Sequence, residues 1–300
     1  MQSERKVRRR YIPGKYGQLH LRESGQQSQK NTIICLHMAP KSGRSFHQIL
    51  PYLASDRLVV APDYPGYGES DCPPEKPHVR VEDYAAAIGE VIAHLNLKAV
   101  NLIGYHTGSM VAVEVARQHP TLVKKLINIS APIFTELELD HFYQYFAPIP
   151  LDEEGARFRI MWERIMKYRG PGMTLEQCSV SMAENMRGGE SYEWGHRAAF
   201  NYTQAYTRHL AKISQPLLVM NPKDDLYEQT QRVDPFLNKG TRADFLDWGT
   251  GFLDVFSESV AEEMLKFFDK DSRLMPSSDV SMKLGFGLIS RRKVGVFTKR

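Results

Sequence analysis

Two glycines enclose a short turn, GYHTG, at residues 104–108. An apolar run at 99–103 precedes the turn and predicts a strand, while residues 109–119 predict a helix that ends before Pro120. A second strand is predicted at 125–129. A strand, a tight turn, a helix and another strand in this order form one unit of a parallel sheet covered by helices, so few fold classes accommodate the chain.

The same alternation continues on both sides of this unit. Short apolar runs predict further strands at residues 16–22, 31–37, 57–62, 217–220 and 243–246. Apolar residues at helical spacing predict helices at 81–97 and 260–268. The predicted fold class is α/β, with a mainly parallel central sheet that carries helices on both faces. The sheet and its helices are expected to form a single domain at 1–270.

Strand signals stop between about residues 133 and 211, where helical stretches are predicted at 153–168 and 193–210. We interpret this segment, about 133–211, as a helical cap inserted into the sheet domain. It is rich in aromatic residues, namely Phe134, Phe142, Tyr143, Tyr145, Phe146, Trp162, Trp194 and Tyr202. Most of them belong to a core by default. As a set, they favour a pocket roof that accepts an apolar or ring-bearing substrate.

Composition and charge exclude several classes of protein. The 39 Lys and Arg nearly balance the 35 Asp and Glu, so no basic face for nucleic acid is expected, and residues 271–300 form a basic C-terminal extension. Cys35, Cys72 and Cys178 are scattered, which argues against a disulfide framework or a zinc site. No apolar run approaches the roughly 18 residues of a membrane span, and the N-terminus does not read as a signal peptide. We therefore expect a cytoplasmic protein without stable membrane insertion.

In this order, the landmarks resemble the α/β-hydrolase fold superfamily over roughly residues 8–270. His37 ends the strand that precedes the oxyanion loop in that family. The segment APDYPGYGESD at 61–71 resembles the family's Asp-x-x-Gly-x-Gly-x-Ser loop, and GYHTG resembles its nucleophile elbow. The resemblance implies an enzyme that needs neither a metal nor an organic cofactor. The chain departs from the family at His106, which stands where the catalytic serine is expected.

The resemblance assigns roles to the residues of the elbow. Side chains at its two ends would clash with the neighbouring strand and helix, which explains Gly104 and Gly108. The central residue, His106, is expected to adopt a strained backbone conformation that lifts its ring into the pocket. The Thr107 amide, at the start of the helix, is the expected first oxyanion donor, and the Ala39 amide is the expected second.

The other two triad positions lie near the C-terminal end of the sheet. Asp224 follows the strand at 217–220 and aligns with the family's catalytic acid, with Asp225 as the second choice. Thr250 stands where the general-base histidine is expected, and no histidine follows His209. Two of the three triad positions therefore differ from the family. Ordinary serine hydrolysis needs an alcohol nucleophile and a base of near-neutral pKa, and the sequence shows neither.

The leading hypothesis is a His106–Asp224 dyad in which the imidazole acts as a base or a nucleophile and Asp224 orients it. It would act on a small, largely apolar carbonyl compound such as an ester, a lactone or a thioester-like compound. The same groups fit a lyase, isomerase or cyclase. Other readings left open are Thr107 as a nucleophile and a non-catalytic pseudoenzyme that binds a small ligand. A small molecule is the expected partner, and a homodimer is left open.

Residues around these positions are expected to line the pocket. The resemblance places five of them there, namely His37, Met38, Tyr105, Thr250 and Phe252. Three histidines of the cap segment are weaker candidates that would enter the cavity from above, namely His141, His196 and His209.

Overall fold

The computed structural model describes residues 6–78 and 80–270. Its strands are β1 (Arg8–Gly14), β2 (Gly17–Ser24), β3 (Thr32–Leu36), β4 (Val59–Pro62), β5 (Val100–Tyr105), β6 (Val123–Ile129), β7 (Leu217–Pro222) and β8 (Gly240–Phe245). They form one sheet in the order β1-β2-β4-β3-β5-β6-β7-β8. Neighbours from β4 to β8 pair in parallel, whereas β1 with β2 and β2 with β4 are antiparallel. The predicted mainly parallel sheet is confirmed.

Helices cover both faces of the sheet, as predicted. They are α1 (Leu50–Leu53), α2 (Val81–His94), α3 (Thr107–Gln118), α4 (Glu136–Tyr145), α5 (Ala156–Lys167), α6 (Leu175–Arg187), α7 (Trp194–Leu210), α8 (Tyr227–Gln231), α9 (Phe252–Val255) and α10 (Ser257–Asp269). One apolar core joins α2, α3 and α7 to one face. A second core joins α1, α9 and α10 to the other. Burial of apolar area on both faces is the main force that holds these layers together.

Among the strands, β1 is the one that the sequence prediction omitted. β1 begins Arg8-Arg9-Arg10, and of its seven residues only Ile12 is buried. It has no apolar alternation because it lies at the edge of the sheet and faces solvent. Arginines along an exposed edge also discourage pairing with another chain. By contrast, every residue of β3, β4 and β5 is buried, which explains why their apolar runs could be read directly.

The segment between β6 and β7 contains α4, α5, α6 and α7. Helix α7 packs against α2 and α3 and so belongs to the covered face of the sheet as well as to this segment. None of the described helices is both long and apolar enough to cross a lipid bilayer. The predicted extension at 271–300 lies outside the described residues.

Candidate active site

The turn between β5 and α3 holds His106 in a left-handed backbone conformation, with φ at 50° and ψ at −114°. A Cβ added to Gly104 would lie 2.2 Å from the Gly108 carbonyl oxygen, and one added to Gly108 would lie 2.0 Å from the Leu36 carbonyl oxygen. Only glycine fits at either end of the turn. A positive φ at a residue other than glycine costs about 1–3 kcal/mol, a strain that proteins retain mainly at functional sites.

Ser109 fixes the shape of this turn. Its Oγ donates to the carbonyl oxygens of Gly104 and Ile129, at 3.0 and 2.9 Å. The backbone adds two bonds, from the His106 amide to Ile129 O at 3.0 Å and from the Ser109 amide to His106 O at 2.8 Å. The strained conformation is therefore held by β6 on one side and by the first turn of α3 on the other.

The His106 ring is bonded to Asp224. His106 Nε2 lies 2.9 Å from Asp224 Oδ2, and the Asp224 side chain is fully buried. Ser130 Oγ donates to the same oxygen at 2.6 Å, and the Leu226 amide donates to Oδ1 at 3.0 Å. The Tyr105 hydroxyl is a weaker donor at 3.4 Å. Sequence reasoning did not single out Ser130, because nothing in the chain marks a serine after β6 as a partner of a residue more than 90 positions away.

These bonds determine which nitrogen of His106 is available for chemistry. A carboxylate only accepts hydrogen bonds, so the proton shared with Asp224 is carried by Nε2. Nδ1 has no hydrogen-bond partner among the described residues, and the side chain is 14% exposed. Burial lowers the pKa of His106, but the charge and hydrogen bond of Asp224, together with the charge of Asp225, outweigh it and raise the pKa above its usual value near 6.5.

A cavity of about 610 Å³ opens in front of His106. Met38, Tyr105, Thr250 and Phe252 line it, as does Ala39. His37 does not: its buried ring bonds to the Met38 carbonyl at 2.9 Å and accepts from the Tyr64 amide at 3.1 Å. Burial lowers the pKa of His37 to about 4, so the ring is a neutral structural group of the oxyanion loop.

The cap side of the cavity is largely aromatic. Its residues include Tyr145, Phe146, Ile165, Tyr168, Met173, Tyr192 and His196. His196 stacks on Phe146 with ring centroids 4.0 Å apart, and burial lowers its pKa to about 3, so it is a neutral ring. His141 and His209 do not line the cavity. His209 bonds instead to the Tyr202 hydroxyl at 2.9 Å.

The two expected oxyanion donors come from different segments, Thr107 from the start of α3 and Ala39 from the loop after β3. Ala39 is buried in the cavity wall against α7, where a Cβ added to Gly195 would lie 2.3 Å from the Ala39 Cβ. Neither the Ala39 amide nor the Thr107 amide donates a hydrogen bond to another described residue. The Thr107 side chain is buried and is not part of the cavity wall, which disfavours its hydroxyl as the nucleophile.

Four charged residues of the cavity wall carry no motif that sequence reasoning could detect: Lys41, Arg44, Arg164 and Asp254. The half-buried Lys41 donates from Nζ to Ser181 Oγ at 2.6 Å, to the Ser181 carbonyl and to Asn185 Oδ1. Burial lowers its pKa to about 7. Because Lys41 lies in the loop after β3 and its partners lie on α6, it ties α6 to that loop.

One group of residues has the spacing of a cation site. Ligand atoms of His106, Asp224 and Asp225 all lie within 4.8 Å of one another. Asp225 Oδ1 is 3.8 Å from His106 Nε2, and burial, followed by the nearby Asp224 charge, raises the pKa of Asp225. A metal ion would have to displace donors, because Asp224 Oδ2 already accepts from Ser130 and His106. The geometry favours a hydrogen-bonded dyad over a metal centre.

The family model described as alpha/beta hydrolase fold matches residues 31–154, which run from β3 through the elbow to the start of the cap segment. The chain has the α/β-hydrolase fold. The matched residues include the turn between β5 and α3, with His106 at its centre.

Individual α/β-hydrolases resemble the chain over different lengths. Proline iminopeptidase of Lactobacillus acidophilus is 26% identical over 233 residues, which are 69% of this chain and 78% of that protein. Epoxide hydrolase 4 of Mus musculus is 34% identical over 120 residues, which are 39% of this chain and 33% of that protein. An esterase from Exiguobacterium antarcticum has 20% identity and a TM-score of 0.71, covering 87% of this chain and 99% of its own. That last similarity shows the shared fold.

Proposed function

We propose that this protein hydrolyses a small, largely apolar carbonyl compound, such as an ester, a lactone or a thioester-like compound, with a His106–Asp224 dyad in place of the Ser-His-Asp triad. The observation that carries the proposal is an imidazole at a strained turn, facing a cavity of about 610 Å³, with Nε2 held 2.9 Å from a buried carboxylate. The proline iminopeptidase, epoxide hydrolase and esterase names of similar proteins support hydrolysis.

Hydrolysis moves two protons, because the attacking water loses one and the leaving group gains one. His106 takes up and releases a proton at Nδ1, while Asp224 orients the ring and favours the charged form of the imidazole. The Thr107 and Ala39 amides stabilise the negative charge that develops on the carbonyl oxygen. Water attacks the carbonyl carbon directly in this scheme, so no acyl intermediate on a side-chain hydroxyl is formed.

The shape and composition of the cavity support the substrate class. Aromatic residues of the cap, among them Tyr145, Phe146 and Tyr192, present apolar faces above the dyad. A volume of about 610 Å³ falls within the range of small-molecule sites. Large peptides and polymers would require the cap to move away from the oxyanion loop, to which Lys41 fastens it.

Turnover of a panel of esters, lactones and thioesters by His106→Gln tests the dyad. The substitution keeps polarity but removes the titrating nitrogen, so kcat should fall by at least about 100-fold. Ligand-induced thermal shifts should persist, because the cavity wall is otherwise unchanged. The exposed His94, at the end of α2, provides the matched control, and His94→Ala should behave like the wild type. Full turnover by His106→Gln would contradict a catalytic dyad, whereas binding without turnover in the wild type itself would favour a binding protein over an enzyme.

Two further measurements separate the alternatives. In water enriched with ¹⁸O, hydrolysis places the heavy oxygen in the acid product, whereas a lyase, isomerase or cyclase incorporates none. Serine-directed phosphonates should leave the protein unlabelled, because His106 and not a serine stands at the centre of the elbow. Stoichiometric labelling at one serine would contradict the proposed site.

A further inference from the structure

Asp254 is an unpaired carboxylate in the wall of the cavity. It lies on α9, four residues after Thr250, which occupies the position of the general-base histidine. It is half-buried, and no hydrogen bond or ion pair joins its carboxylate to another described residue. Ser257 of α10 bonds to the backbone carbonyl of Asp254 and leaves the side chain free. The mechanism proposed above does not use this group.

The surroundings of Asp254 place it in the same electrostatic environment as the dyad. Phe252, on the same short helix, contacts the Tyr105 ring edge-on, with the ring centroids 5.9 Å apart. The centroids of the Tyr105 and His106 rings are 4.5 Å apart. Burial is the largest cause that raises the pKa of Tyr105, and the charges of Asp224, Asp225 and Asp254 raise it further. Asp254, Tyr105 and His106 therefore line the same cavity, and the Asp254 charge acts on the residue beside His106.

Two charged or titratable groups from other elements act on Asp254 or respond to it. Arg44, in the turn at Gly43–Phe46, also lines the cavity and opposes the effect of burial on the Asp254 carboxyl. Tyr105, at the end of β5, responds to its charge. His106 in turn faces Asp224, Asp225 and the neutral ring of His196. No hydrogen bond from a described residue compensates the Asp254 charge, so its partial burial lowers the stability of the fold. Groups of this kind occur mainly at functional sites.

We infer that Asp254 is a second catalytic residue, which removes the proton from the attacking water while His106 donates a proton to the leaving group. The inference rests on the proposed hydrolysis. The water oxygen bonds to the carbonyl carbon as its O–H electrons are released and its proton moves to Asp254. The bond to the leaving group then breaks, and the leaving group takes the Nδ1 proton of His106. Solvent carries the proton from Asp254 back to His106, which completes the cycle.

The ionisation of the two groups supports this division of work. Burial raises the pKa of Asp254 to about 6, and Arg44 acts in the opposite direction. The pKa of His106 lies above its usual value near 6.5. Between these values, the stable forms are the Asp254 carboxylate and the His106 imidazolium, which are a base and an acid. One imidazole alone would first have to take the proton from water and then deliver it to the leaving group.

The dependence of kcat/KM on pH tests the assignment, with the ester that the panel shows to be turned over fastest. The wild type should show a bell, rising through about pH 6 and falling above the raised pKa of His106. Asp254→Asn should lower kcat at pH 7 by about 10- to 100-fold and abolish the rise near pH 6. Asp254→Glu, which keeps the carboxyl, should recover part of the rate and the rise.

Two controls make the result specific. Asp247→Asn removes an exposed carboxylate from the same loop region and should leave the profile unchanged. Arg44→Met removes the opposing positive charge, so the rise should move to higher pH. An Asp254→Asn variant with the wild-type rate and an unchanged rise of kcat/KM near pH 6 would overturn the inference without contradicting the dyad. Full activity of His106→Gln, by contrast, would contradict both the dyad and the role of Asp254.

Discussion

His106 Nε2 and Asp224 Oδ2 lie 2.9 Å apart, although the two residues are 118 positions apart in the sequence. They meet because β5 and β7 both end at the same edge of the sheet, on either side of β6. Ser130, at the end of β6, completes the contact by donating to the same oxygen at 2.6 Å. Three strand ends thus position one imidazole, a usual location for ligand sites in parallel sheets.

Asp224→Asn tests what this carboxylate contributes. The amide is uncharged and can bond to either tautomer, so it loses control of which His106 nitrogen carries the proton. We expect kcat to fall by about 10²- to 10⁴-fold and the pKa of His106 to decrease, because the Asp224 charge raises it. Histidine NMR titration measures the second effect. An unchanged His106 pKa in the variant would show that the contact does not exist in solution.

Asp254→Asn should also change stability, with a sign that follows from its pKa. The folded state raises that pKa from 3.8 to about 6, so the folded protein loses stability as pH rises through this interval. Above pH 7, the variant should be more stable than the wild type by about 1 to 2 kcal/mol, a value reduced for partial exposure. The difference should vanish below about pH 4. Urea unfolding at pH 4 and pH 8 measures it, and a variant that is less stable at pH 8 contradicts the burial of an unpaired charge.

The raised pKa of His106 gives stability the same direction of pH dependence, for a different physical reason. Its imidazolium is favoured in the folded state, so the contribution is complete below the unfolded pKa near 6.5 and is lost as pH rises through the raised folded pKa. Asp224→Asn should remove this dependence. Thermal melts between pH 6 and pH 9 compare the two proteins. Parallel curves for both would show that His106 is not ion-paired.

Lys41→Met should loosen the cap. The substitution removes the ammonium and leaves Asn185 Oδ1 and the Ser181 carbonyl without their donor, although Ser42 still bonds to Glu184. We expect faster hydrogen exchange in α6 and a higher KM, because the roof of the cavity is less firmly held. Lys98→Met, at an exposed position, is the control. Unchanged exchange in α6 would contradict the role of Lys41 as a fastener.

The sequence predicted those strands whose burial gives them continuous apolar runs. Apolar runs such as β3 and β5 could be read because every residue in them is buried. β1 could not be predicted in this way, because an edge strand with one buried residue has no apolar run and no apolar alternation. Helices α4 and α6 did carry a local signal, since Thr135 with Glu138 and Thr174 with Gln177 form capping boxes at their starts. A search for that motif would have located both.

The candidate site divides in the same way. His106 and Asp224 stand out because a glycine-framed turn and a strand end fix their positions. Ser130, Lys41 and Asp254 acquire their roles only from tertiary contacts, and serines, lysines and aspartates in loops are common in any sequence. A half-buried carboxylate without a partner can be recognised only when its neighbours are known.

Chemical rescue of His106→Gly tests the central claim most directly. Glycine adopts the positive φ of this position without strain and leaves a space the size of an imidazole at the elbow. The variant should be inactive on its own, and added imidazole should restore turnover in proportion to its concentration, whereas added methanol should not. Wild-type turnover without imidazole would contradict the account, because the ring of His106 would then have no part in the reaction.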